Sequence, residues 1–202
     1  MANEATDNAD APSVVLDLAD SCVRFVHRTL GIELDYTPDT LPILDHYLRG
    51  AHGVSQEEIL GLVAPAAGAY FGEVVRRQLG PSRWHWESDE FSECRLEFER
   101  CFLSFNPIGI ALEAVVQSET EGYGSNLALL KEEEALVREA LERTGGDVNP
   151  DDYFRLAVRY EVIEQVVVLL VERAISQNEL ARRFGPEVYE ALRDRKQSGL
   201  LH

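Results

Sequence analysis

Ile59-Leu60-Gly61-Leu62-Val63-Ala64-Pro65-Ala66-Ala67-Gly68-Ala69-Tyr70-Phe71-Gly72-Glu73-Val74-Val75 runs without a charge until Glu73, and Arg76-Arg77-Gln78 then restores a wet end. This pattern reads as a helix that enters the core and leaves it. Ser55 with Glu58 three residues on forms a capping box, and Val54 is placed to staple against Ile59. Gly80-Pro81 gives a left-handed stop and a residue that cannot continue a helix. A glycine inside a helix costs about 1 kcal/mol relative to alanine, so Gly61, Gly68 and Gly72 call for a reason. The three fall close to one face, where missing side chains let another backbone approach. Pro65 removes a backbone donor and is expected to kink the helix. The stretch is therefore the central helix of the fold, with a strand or helix pressed on its glycine stripe.

The chain on either side supplies what that helix packs against. Val14, Val15, Leu18, Cys22, Phe25, Val26 and Leu30 form the inward stripe of a first helix, capped by Ser13 and ended at Gly31. A second helix starts near Asp39 or Thr40, since Pro42 is tolerated only in a first turn. Beyond the central helix, Arg83-Trp84-His85-Trp86 alternates as a strand with both tryptophans on one face and His85 on the other. Cys94 to Phe105 reads as a longer strand, Leu96 and Phe98 alternating with Arg95, Glu97 and Glu99. Its phase changes near Arg100-Cys101, which predicts a bulge or a strand end. Asn106-Pro107 opens another helix.

Residues 118–126 have the composition of a linker, and everything after them reads as helix: Leu127 to Arg143, a buried helix from Asn149-Pro150 to about Ile175, and two short pieces either side of Gly185-Pro186. The expected fold is α+β and mostly helical. It comprises a disordered acidic tail (1–12), an α+β domain (13–117) whose small antiparallel sheet at about 83–105 packs on helices, the linker, and an all-helical C-terminal module (127–202).

Gly68-Ala69-Tyr70-Phe71-Gly72-Glu73-Val74-Val75-Arg76-Arg77, then Gly80 and Trp84, preceded by Leu34-Asp35-Tyr36-Thr37-Pro38-Asp39-Thr40-Leu41, resembles a pattern in uncharacterised bacterial domains of unknown function. The resemblance covers about residues 13 to 117 and bears on the fold; it brings no catalytic residues.

A formal charge of −17 argues against a nucleic-acid partner, because phosphate contacts require clustered Lys and Arg. Such charge serves solubility or attracts a basic partner. Cys22, Cys94 and Cys101 show no CxxC spacing and leave one unpaired, so buried, reduced thiols and a cytoplasmic protein are expected. The longest continuous apolar run, Val166 to Val171, is too short to span a bilayer, and no membrane association is expected. Asp147 to Asp151 imitates a calcium loop but has Asp152 where glycine belongs and Val158 where the bidentate glutamate belongs. The segment from Ser176 to Gly185 looks like half of a helix-turn-helix, but glutamates occupy the reading helix, and an interaction hairpin is favoured. The histidines show no zinc spacing, so neither metal nor other cofactor is expected.

No nucleophile elbow, phosphate loop or dinucleotide motif is present, and no catalytic residue is assigned. Three function classes remain. The first is a non-enzymatic interaction protein, immunity-like or inhibitor-like, whose acidic residues Glu87, Asp89, Glu90, Glu132, Glu133 and Glu134 meet a basic protein. The second is a ligand-binding or enzymatic domain with a pocket near Tyr70, Glu73, Trp84, His85 and Trp86. The third is a structural subunit that forms homo-oligomers through apolar C-terminal helices. Glu73 itself has two readings: a buried carboxylate needing an arginine, or an exposed partner of Arg76 and Arg77.

Overall fold

A computed structural model describes residues 11–50, 55–86, 90–144, 152–179 and 181–198. The fold is α+β and mostly helical, with a four-stranded antiparallel sheet whose strands are neighbours in chain order. The helices are α1 (Ser13–Leu30), α2 (Leu41–Arg49), α3 (Gln56–Glu58), α4 (Ala64–Leu79), α5 (Pro107–Val116), α6 (Lys131–Thr144), α7 (Leu156–Ser176) and α8 (Pro186–Ser198). The strands are β1 (Ser82–His85), β2 (Arg95–Phe98), β3 (Leu103–Phe105) and β4 (Ala128–Leu129).

The central helix forms as its sequence demands, with one local surprise. Ser55 Oγ accepts from the Glu58 N–H while the Glu58 carboxylate accepts from the Ser55 N–H, so the capping box is made; Val54 lies outside the described residues. Between α3 and α4 the chain widens into a π turn, Ile59–Val63, immediately before Pro65. The proline ring has no N–H to give, and a wide turn in front of it is how the ladder adjusts. Ile59–Leu79 is long and apolar enough to cross a membrane by length and composition, contrary to the expectation from continuous apolar runs. Yet 78% of that window is buried inside the protein.

α4 lies against α1 on one side and α5 on the other. Gly68 is the reason α5 comes so near: a Cβ there would sit 2.5 Å from the Ile108 Cα. Gly72 lies under the Trp84 ring, where a side chain would collide with the indole. Gly61, predicted to share that stripe, faces open space, so the stripe is two glycines long. Gly80 ends the helix at φ +111° and ψ −172°, a conformation open to glycine though outside the left-handed helical region that was expected.

The sheet presents Trp84, Leu96 and Phe105 in register towards α4, with Phe71 and Phe105 ring centroids 6.3 Å apart. The phase change near Arg100-Cys101 is a strand end, and Leu103 begins β3. The other face is not wet, as the alternation implied. Phe184 and Tyr189 cover it: Phe102 stacks on Tyr189 at 4.5 Å, and Tyr189 Oη accepts from the Leu103 N–H and donates to backbone oxygen of Phe98, 2.7 Å away. Glu97, placed by alternation on the solvent side, is 1% exposed as a result.

Several boundaries move. Pro12 rather than Ser13 occupies the cap position of α1, and Val14 is exposed. Ala11 is buried. Leu127 to Arg143 is not one helix, because Ala128 and Leu129 pair with β3 before α6 begins at Lys131. Within the segment read as a linker, Ser125 is buried and donates to Glu113. One hydrophobic core contains Val15, Tyr70 and Leu96 together with Leu129, Val137 and Leu170. The described residues between 177 and 185 hold no helix, so the predicted first half of a helix-turn-helix is absent there.

α7 starts at Leu156, later than Asn149-Pro150 suggested; residues 145–151 lie outside the described set. Its first N–H groups are capped from across the molecule: the buried Asp45 carboxylate of α2 accepts from Leu156 N at 2.7 Å and Ala157 N at 3.1 Å. Burial pushes the Asp45 carboxyl above its ordinary value, against these two hydrogen bonds. Asp45→Ala is expected to lower unfolding stability by about 1–3 kcal/mol, because it strands one buried and one half-buried donor and loosens α7 from α2. Asp45→Asn keeps one acceptor and should recover part of the loss, read as a shift in urea midpoint at unchanged slope.

Candidate functional site

The carboxylates sort into two populations, and burial decides which. Glu73 is fully buried, as the first of the two readings has it; the second names its partners rightly but not its exposure, since Arg76 from within the core and Arg77 from the exposed side both grip it from the next turn. Oε1 accepts from Arg76 Nε at 2.7 Å and from Trp84 Nε1 at 2.9 Å; Oε2 accepts from Arg76 Nη2 at 3.0 Å and Arg77 Nε at 3.1 Å. Burial opposes ionisation, but the hydrogen bonds from Arg76 and Trp84 and the two guanidinium charges outweigh it, holding the carboxyl below its ordinary value. A carboxylate so held is a fixed anion and a poor proton acceptor.

Two further glutamates, not singled out in the sequence, are held alike. Glu97 takes Arg83 at 2.9 Å and Arg95 at 3.2 Å. Glu113 takes Arg159 of α7 at 2.7 Å, as well as the Ser125 hydroxyl. For Glu97 the missing signal was that its strand is covered on both faces. For Glu113 it was an arginine 46 positions away.

Of the residues proposed to line a pocket, Glu73 and Trp84 are joined directly, and Trp86 continues the aromatic run, 6.3 Å from Trp84 and 5.8 Å from Phe91. Tyr70 is turned elsewhere: its hydroxyl accepts from the Tyr36 N–H and bonds the Thr40 hydroxyl, with its ring 4.8 Å from Tyr36. His85 is half-buried at the end of β1. Cys22, Cys94 and Cys101 are buried and unpaired, and burial pushes all three thiols up, Cys101 to about 12. Among the described residues, no three His, Cys, Asp or Glu gather where a metal ion would sit.

The acidic candidates lie apart from this core. Glu90, Glu132 and Glu134 are exposed, while Glu87 and Asp89 lie outside the described residues. Glu133 turns inward to a cleft shared with Arg173 and Arg182, and burial raises its carboxyl above the ordinary value despite those arginines. The same acidic surface continues on α7, predicted to be buried on most sides. Val166, Val167 and Leu170 are indeed buried, but Val168 is 50% exposed and Ile175 57%, with Glu161, Glu164 and Glu172 exposed beside them. Between α6 and α7 runs an open groove floored by Val137, Ala140, Leu141, Val168 and Leu169, with Glu164 and Glu172 along it.

No family model, no curated protein and no solved structure matches the chain.

Proposed function

We propose that this is a non-enzymatic interaction protein whose acidic surface takes a basic protein partner, in the manner of an immunity or inhibitor protein. One observation supports the reading above others. Three buried glutamates, Glu73, Glu97 and Glu113, hold five arginines: Arg76, Arg77, Arg83, Arg95 and Arg159. The rest of the chain is therefore more acidic than its net −17. Exposed carboxylates on α6 and α7 dominate the field a partner meets, which steers association and selects a positive surface. The same proposal sets the protein in the cytoplasm, where its buried free thiols stay reduced.

The test is capture from source-cell lysate on the tagged protein, with washes at low and then high salt and identification by mass spectrometry. A basic protein held at low salt and released at high salt is the expected result, and Glu132→Lys/Glu134→Lys should retain less of it. Loss of specific capture at both salts, or retention indifferent to salt and to the charge reversals, contradicts the reading.

A further inference from the structure

The geometry points to the groove between α6 and α7 as the docking site for one lysine- or arginine-rich amphipathic helix of the partner. This rests on the acidic-surface reading and names the place and shape of the contact. The apolar floor is laid at i, i+3, i+4 spacing on the α6 wall by Val137, Ala140 and Leu141, and is completed from α7 by the adjacent Val168 and Leu169. Such a floor fits the i, i+3, i+4 stripe of an incoming helix. Val168 is half exposed although its neighbours Val167 and Leu170 belong to the core, so it is an apolar surface left uncovered by the fold itself. A second recess on the other side of Val168 and Glu172, lined by Leu79, Pro81 and Val171, carries Arg100 and is not part of the proposed site.

Charge decides the occupant. Glu164 and Glu172 flank the floor two turns apart, Glu161 extends the row, and no Lys or Arg is among the described residues that line the groove. A second copy of this chain would bring the same carboxylates against each other, and like charges across an interface are a penalty. A helix with cations beside its apolar stripe removes that repulsion and covers Val168.

The test uses a fluorescein-labelled peptide of about 18 residues, five turns of helix, with leucine at i, i+3, i+4 positions and lysine elsewhere. It is compared with a scrambled peptide of equal composition and with a glutamate-for-lysine counterpart, by fluorescence anisotropy on the full chain. The patterned lysine peptide is expected to bind at least about tenfold tighter than the scramble, and Val168→Asp to weaken it by a similar factor. The direction discriminates, because the substitution adds negative charge and would strengthen attraction that was merely electrostatic. Glu164→Lys/Glu172→Lys should transfer preference to the glutamate peptide, a gain that misfolding cannot produce. Equal binding of patterned and scrambled peptides, unchanged or tighter binding to Val168→Asp, or no binding of the lysine peptide overturns the groove. Salt-sensitive lysate capture that survives Val168→Asp would leave the acidic-surface reading standing without it.

Discussion

Glu73→Ala is expected to cost about 3–5 kcal/mol of unfolding stability, because it removes from the core the carboxylate to which the buried Arg76 guanidinium and the Trp84 indole N–H both donate. In a chain of this length that is roughly a 10 °C fall in midpoint, at about 2–4 °C per kcal/mol. Arg77→Ala should cost only about 0–1 kcal/mol, since the Arg77 side chain is 37% exposed and its ion pair is solvated. Replacing both members of the inner pair, as Glu73→Leu/Arg76→Leu, should cost less than Glu73→Ala, because no bare charge is left behind. The pair also gives an acid signature. The Glu73 carboxyl is held below its ordinary value of 4.5, so its contribution is complete above about pH 4.5 and fades as pH falls through the lower folded value. Urea midpoints of wild type and Glu73→Gln should therefore converge below that pH; a constant gap would show that the carboxylate's charge is not what matters.

Two glycine-to-alanine substitutions in one continuous helical run should move stability in opposite directions. Gly61→Ala enters open space and is expected to gain up to about 1 kcal/mol from helix propensity alone. Gly68→Ala puts a methyl against the Ile108 backbone, which cannot rotate aside. Overpacking of that kind costs about 1–3 kcal/mol and here should reach the upper end, outweighing the propensity gain and separating α4 from α5. If both substitutions stabilise, the close approach of α5 at Gly68 is wrong.

The parts of the fold legible in the sequence were those written by local chemistry. The capping box at Ser55 and Glu58, the stop at Gly80, the cap at Asn106 and the glycine seam at Gly68 and Gly72 each follow from a residue acting on its own neighbourhood. What could not be read was set by distant partners. Glu97 alternates like a solvent-facing residue, and becomes buried because Phe184 and Tyr189 arrive from some ninety positions downstream to cover its face. Ala128 and Leu129 are too short a strand to show a period, and β3 recruits them. Gly61 was grouped with the seam by spacing, but the π turn rotates the helix before Ala64, so a face drawn at 100° per residue does not carry through. Asp45 carries no local sign of its role, because its partners are N–H groups more than a hundred residues away. Of the residues named for the candidate pocket, Glu73 and Trp84 share a hydrogen bond, and α7 was misjudged: its apolar letters hid which residues the core would use, leaving Val168 and Ile175 outside.

Glu73, Glu97 and Glu113 tie up five arginines, and the proposed recognition falls to the exposed carboxylates that remain, so the central question is how a partner arrives. The most direct measurement is the association rate constant of the captured basic protein across ionic strength, by stopped flow. Steering by the exposed carboxylates predicts a rate well above about 10⁶ M⁻¹s⁻¹ at low salt that falls steeply as salt is added, with dissociation changing far less. An association rate indifferent to salt would contradict the claim that the acidic surface is what recognises the partner.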